Sequence, residues 1–174
     1  ALEDMDDKLQ EFQKAVEINP DYPWGHIGLG YVYSEPGKLD QAVAAYEKAL
    51  EIDPNNAYAH NNLGYVYRKQ GQLVEAIAKY EHAIKIDPNF AYAHNGLGDV
   101  YRKQGKLDQA IAAYKKALEI DPNLALAHNN LGLVYHDQGK LEEAIAAYQK
   151  ALEIDPNSAY AHYYLGGVYS KQGK

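Results

Sequence analysis

The chain has 174 residues, 47% of them apolar and 24% charged, a composition that supports a packed core and argues against disorder. Lys and Arg number 17 against 24 Asp and Glu, a formal charge of −7 that repels phosphate backbones and makes nucleic acid a poor partner. Cysteine is absent, so disulfides, thiol catalysis and thiolate metal sites are excluded.

Several residue ladders run through the sequence at one fixed step. Prolines fall at Pro20, Pro54, Pro88, Pro122 and Pro156, each 34 residues after the last. Gly30, Gly64, Gly98, Gly132 and Gly166 keep the same step, as do Gly37, Gly71, Gly105, Gly139 and Gly173. So do Tyr33, Tyr67, Tyr101, Tyr135 and Tyr169. A repeat of this length implies one supersecondary unit stacked several times.

In chain order, residues 1–22 are expected to hold the second helix of a partial unit, with Phe12 and Ala15 in register but Lys8 where the other units carry alanine. Residues 23–56, 57–90, 91–124 and 125–158 read as complete units, and residues 159–174 as the first helix of another, all in one continuous domain. The unit 57–90 shows the logic. Its first helix is predicted over Ala57 to Gln70, stopped by Gly71. The second runs from about Leu73 to Ile86 and ends at Asp87-Pro88-Asn89, because proline cannot continue a helix. Leu63, Gly64 and Tyr67 share one face of the first helix, and Ala76, Tyr80 and Ala83 share one face of the second. Glycine inside a helix costs about 1 kcal/mol relative to alanine. Its return in every unit implies that close helix approach offsets the cost.

Leu63-Gly64, Tyr67, Ala76, Tyr80, Ala83 and Pro88 together resemble the tetratricopeptide signature. Leu97, Gly98, Tyr101, Ala110, Tyr114, Ala117 and Pro122 repeat it, then Leu131, Gly132, Tyr135, Ala144, Tyr148, Ala151 and Pro156. Leu29, Gly30, Tyr33, Ala42, Tyr46, Ala49 and Pro54 precede them. The resemblance covers the whole chain and implies an all-α fold, a right-handed superhelical α-solenoid of stacked antiparallel helix pairs. One position departs from the family: histidine (His26, His60, His94, His128, His162) stands where tryptophan is usual.

On the first helices, the face opposite the packing face is rich in tyrosine and asparagine where an ordinary solvated face is the bland expectation. Its rows are Trp24, Tyr58, Tyr92, Leu126, Tyr160; Ile27, Asn61, Asn95, Asn129, Tyr163; and Tyr31, Tyr65, Asp99, Leu133, Gly167. Tyrosine offers large contact area at low entropy cost, and asparagine both donates to and accepts from a peptide backbone. The resemblance implies that this face lines a concave groove for extended peptides or partner helices, with Asn61, Asn95 and Asn129, helped by Asn62 and Asn130, holding the main chain. Arg68, Lys69, Arg102 and Lys103 stand near first-helix C-termini, where they either serve the helix dipole or meet an acidic ligand. Phe90, Leu124, Leu126 and Leu133 are expected to meet the ligand's apolar part. The family's carboxylate clamp for chaperone tails is missing, since the corresponding positions carry Ile27, Tyr58, Asn61, Tyr92, Gly96 and Leu126.

Other chemistry finds little support. The histidines sit one per unit, on helices about 8–10 Å apart, whereas two nitrogens on one zinc lie within about 4 Å of each other; a packing role in the tryptophan slot is expected, and no metal or other cofactor. Gly28-Leu29-Gly30 and Gly96-Leu97-Gly98 fall inside helices with no preceding strand and are packing glycines. Ser34, Ser158 and Ser170 have no His and carboxylate arrangement around them. Asp53-Pro54-Asn55-Asn56 and its relatives read as turn and capping residues. No enzyme activity is expected. No apolar run approaches eighteen residues, so no membrane span is expected. The acidic start Ala-Leu-Glu-Asp-Met-Asp-Asp lacks signal-peptide order, which points to a cytoplasmic location. The leading function is a scaffold for a protein or peptide partner. The alternative is self-assembly, head to tail, with Leu165 and Tyr169 of one molecule meeting Leu9 and Phe12 of another.

Overall fold

Ten α-helices joined by short turns account for the regular structure in the computed structural model, which describes residues 2–35 and 37–173, with side chains from Met5 onward. Among the described residues there is no strand. The chain forms two units, residues 1–88 and 89–174. The first holds α1 (Leu2–Ile18), α2 (Pro23–Ser34), α3 (Leu39–Ile52), α4 (Ala57–Lys69) and α5 (Leu73–Ile86). The second holds α6 (Ala91–Lys103), α7 (Leu107–Ile120), α8 (Ala125–Asp137), α9 (Leu141–Ile154) and α10 (Ala159–Lys171).

Within each unit every helix packs on the next, and the first helices also touch one another: α2 on α4, α6 on α8, and α8 on α10. The all-α class of stacked helix pairs is the one the repeat pattern predicts. The helix stops also follow from local chemistry. Gly71 and Gly139 adopt φ of +80° and +73°, a left-handed conformation that a side chain resists. Around Gly71 the amide of Gln72 bonds the Tyr67 carbonyl at 2.9 Å and that of Gly71 bonds Arg68 at 3.2 Å, the paired bonds of a Schellman cap. The α4 helix ends at Lys69, one residue short of the predicted Gln70, which serves as its C-cap.

The turns before the first helices combine Asx turns with variable caps. The amides of Asn55, Asn123 and Asn157 bond the carboxylates of Asp53, Asp121 and Asp155 at 3.0–3.3 Å. Asn56 and Ser158 then cap α4 and α10 by accepting from Ala59 and Ala161. At the equivalent position Phe90 and Leu124 provide no side-chain cap. Leu124 instead packs with Ala91, Ala117 and Ala127 in the helix interface. It is therefore part of the core, and the expectation that it meets a ligand does not match its place in the fold.

The core is built from one interlocking contact. Tyr46, Tyr80, Tyr114 and Tyr148 on the second helices are almost completely buried, each over the glycine sixteen residues earlier. A Cβ placed on Gly30, Gly64, Gly98 or Gly132 would lie 2.6, 3.1, 2.6 or 2.9 Å from the ring. The helix glycines thus admit an aromatic ring against bare backbone, and Ala42, Ala76, Ala110 and Ala144 keep the facing helices close.

Candidate functional site

In the first unit α2 and α4 lie side by side and turn their non-core faces the same way. Trp24, Tyr31 and Tyr58 on that face are exposed, and the Trp24 and Tyr58 rings meet at 5.6 Å between centroids. A cavity of about 360 Å³ opens beside them, lined by Phe12, Trp24, Ile27, Gly28, Tyr31 and Asn62. The Asn61 amide donates to Asn62 Oδ1 at 3.1 Å, so the two side chains act as a pair. Tyr65 is half-buried beneath two cations, with the Arg68 guanidinium 5.2 Å and Lys69 Nζ 4.8 Å from its ring. Lys69 also donates to the Ser34 carbonyl at 3.3 Å. It thereby answers the negative end of α2, the helix-stabilising role weighed for this cluster.

In the second unit Tyr92, Leu126, Tyr160 and Tyr163 are exposed on the same face of α6, α8 and α10. Beneath them lies a polar network. Asn130 Nδ2 donates to Asn95 Oδ1 at 3.1 Å and to Asp99 Oδ1 at 3.0 Å, while the Tyr114 hydroxyl donates to the same Asp99 oxygen at 2.7 Å. Asn95 and Asn130 are buried, and so is Asn129, whose Oδ1 has no hydrogen-bond partner. Asp99, Arg102 and Leu133 are half-buried. The asparagine row is therefore not one uniform surface: Asn61 and Asn62 are partly open, whereas Asn95 and Asn130 bond to the fold itself. Sequence spacing places these residues on one face but cannot tell which amides find partners across the helix gap.

Burial raises the Tyr114 hydroxyl well above the usual phenol range, and the Asp99 carboxylate adds to the shift. Tyr148 is raised by burial as well, then by Tyr160 and Tyr164, while the Arg102 guanidinium works in the opposite direction. Tyr160 is pushed up to about 12, mainly by burial and by Tyr164, whose ring lies 4.4 Å away. These phenols remain protonated at neutral pH. Among the described residues no three His, Cys, Asp or Glu side chains are grouped to hold a metal ion. Among them no helix is long and apolar enough to cross a membrane.

The tetratricopeptide (TPR) repeat family matches the chain at residues 30–71, 64–104, 98–139 and 133–173. The chain belongs to the TPR repeat family. Solved TPR structures resemble it over most of its length. The crystal structure of TTC0263, a thermophilic TPR protein of Thermus thermophilus, superposes with a TM-score of 0.85 at 26% identity, covering 97% of this chain and 92% of that one. MamA gives 0.72 at 29% identity, covering 90% and 91%. YrrB, described as a TPR protein with an unusual peptide-binding site, gives 0.67 at 29% identity, covering 93% and 84%. No curated protein matches the chain.

In this TPR chain the histidines at the tryptophan position do more than fill space. The Nε2–H of His26, His60, His128 and His162 donates to the carbonyl of Pro20, Pro54, Pro122 and Pro156, at 2.8–3.0 Å. Each ring thereby ties its first helix to the turn before it. The recurring Pro-x5-His spacing carried this signal in the sequence. His60 also stacks on His82, ring centroids 4.1 Å apart and nearly parallel. Burial holds His60 below its ordinary value, against the favourable Pro54 bond; His82 and Lys79 lower it further, and Asp53 opposes them. A histidine depressed in the folded state favours the neutral form, so its stabilising contribution is present above the unfolded value near 6.5 and lost as pH falls below it. The urea midpoint of the first unit's transition is expected to drop between pH 7.5 and 5.5, and less so in His60→Gln. Equal pH dependence in the two proteins would remove this role.

Proposed function

We propose that the chain is a non-catalytic protein-interaction scaffold that binds an extended peptide segment or a partner helix along the inner face of its first helices. The supporting observation is the distribution of exposed large apolar side chains. Among the described residues Trp24, Tyr31, Tyr58, Tyr92, Leu126, Tyr160 and Tyr163 lie on first helices, whereas the second-type helices α1, α3, α5, α7 and α9 expose Ile18, Val74 and Ile154. Aromatic side chains exposed together on one helix face mark interaction surface more than solvated surface does. The TPR family and the peptide-binding site ascribed to YrrB agree with this reading.

In the first unit Tyr58, Asn61, Asn62, Tyr65 and Arg68 form the contact surface. The cavity beside Trp24 and Tyr31 is large enough for one big apolar side chain, and the Asn61 carbonyl oxygen can accept from a peptide amide. In the second unit Tyr92, Leu126 and Leu133 supply apolar contact, and Arg102 supplies polar contact. Asn95, Asn130 and Asp99 hold that surface from below. The preferred ligand mixes apolar and acidic residues.

Selection from a displayed random peptide library is expected to enrich segments carrying a large apolar residue beside an acidic one. In anisotropy titrations, Tyr31→Ala combined with Tyr58→Ala should weaken an enriched peptide at least about tenfold, since buried aromatic anchors dominate such interfaces. Failure to enrich any sequence, or equal binding by the double variant, would reject the inner face as the site.

A further inference from the structure

His60 and His128 hold the same place in their units, and each donates Nε2–H to the carbonyl of the proline before it at 3.0 Å. What lies over the two rings differs. In the first unit the His82 ring stacks on His60, with centroids 4.1 Å apart and planes 7° from parallel. His60 is then only 5% exposed, and Leu63 on the same helix is fully buried.

In the second unit Lys150 stands two repeat steps after His82, and Ala147 two steps after Lys79. The ring that closes the slot in the first unit is therefore missing. A cavity of about 290 Å³ opens in its place between α7, α8 and α9, lined by Leu118, His128, Leu131, Tyr135 and Ala147. His128 is half-buried, and its bond to the Pro122 carbonyl fixes the ring. Two exposed charged residues also line the cavity, Glu143 and Lys150. Lys150 Nζ bonds Glu153 at 2.6 Å, whereas Glu143 makes no ion pair among the described residues.

We propose that this slot is a recognition site separate from the inner face, and that it takes an aromatic side chain of a partner protein with a basic residue beside it. The chain itself shows what the slot accepts, because His82 lays a flat ring on the equivalent histidine. The partner's charge follows from the rim. Glu153 already answers Lys150, so the unmatched charge is the Glu143 carboxylate, which a neighbouring Lys or Arg complements. Leu118, Leu131 and Tyr135 supply apolar walls, the setting in which aromatic anchors carry most of an interface's energy. None of these residues belongs to the inner-face rows, so the site stands or falls independently of peptide binding there.

Capped dipeptides, followed by proton–carbon correlation spectra of the histidine rings, test the proposal. N-acetyl-Trp-Lys-amide is expected to move the His128 ring protons upfield and saturably, with a dissociation constant on the order of 1 mM. His60 should stay unmoved, because His82 occupies its slot. N-acetyl-Trp-Glu-amide should bind about threefold more weakly or worse, the scale of one exposed charge pair. Lys150→His should close the slot and abolish the shift. His82→Lys combined with Lys79→Ala should open the first unit's slot and bring the shift to His60. The proposal is overturned if His128 does not respond, if His60 responds equally in the parent, or if binding survives Lys150→His. Equal affinity for the two dipeptides overturns it too, since Glu143 would then play no part.

Discussion

Replacing Tyr114 by alanine is expected to destabilise the second unit by about 3–5 kcal/mol, the range for truncating a buried aromatic residue. The ring is fully buried, packs with Ala110, Leu131 and Val134, and lies directly on the backbone of Gly98. Its hydroxyl donates to Asp99 at 2.7 Å, and Asp99 accepts from Asn130 through the same oxygen. Alanine therefore leaves a cavity and also removes one donor from a half-buried carboxylate. Tyr114→Phe separates the two contributions: the ring remains, and the loss should fall to about 1.5–3 kcal/mol, the value of a hydrogen bond to a charged group. Repeat arrays need not unfold in one step. Amide exchange in α6 and α7 should accordingly be read alongside the urea transition. A loss under about 1 kcal/mol for Tyr114→Ala would show that the neighbouring helices close the cavity.

The same substitution at two equivalent glycines should act in opposite directions. Gly98→Ala is expected to cost about 1–3 kcal/mol, because the new methyl would lie 2.6 Å from a ring that the Asp99 bond holds in place. Gly166→Ala meets open space and should stabilise α10 by up to about 1 kcal/mol, the intrinsic helix preference for alanine over glycine. Gly64 lies between these cases, since its Cβ would approach Tyr80 only to 3.1 Å. Urea transitions of the three variants check the order. If Gly98→Ala proves as mild as Gly166→Ala, close ring-on-backbone packing is not what keeps glycine in the ladder.

Much of this fold was legible in the sequence because the signals are local. A proline ends a helix by steric exclusion and a missing donor, so Pro54 and Pro88 could be placed without knowing what they pack against. Gly71 and Gly139 mark helix stops because only glycine enters the left-handed region freely, and both do so. The α5 helix runs from Leu73 to Ile86, as its apolar spacing and its flanking Gly71 and Pro88 require. That Gly64 and Tyr80 stand on the facing surfaces of α4 and α5 was readable as well, but that the ring lies on the bare backbone of the glycine was not.

The candidate site was legible as a face and not as a set of contacts. The 34-residue step puts Asn61, Asn95 and Asn129 in one row, but whether an amide points to solvent or to a neighbour depends on that neighbour's side chain. Asp99 stands where the preceding unit has Tyr65. This single change gives Asn130 and Tyr114 a carboxylate to bond, and it buries the local polar groups in a network. Leu124 likewise looks like an exposed turn residue in sequence, and it is buried because Ala91, Ala117 and Ala127 leave room for it. The histidine bonds to Pro20, Pro54, Pro122 and Pro156 also depend on the angle at which each turn enters its helix.

The sequence by itself determined the number of helices, their stops, the small-residue and tyrosine positions of the core and the chemical character of the exposed first-helix face. Each of those follows from backbone sterics and a fixed period. Tertiary structure alone decided which of the amides on that face are bonded and where the Phe12 ring rests. Those outcomes turn on distances of a few tenths of an ångström between side chains from different helices, and a one-dimensional pattern contains no such distances.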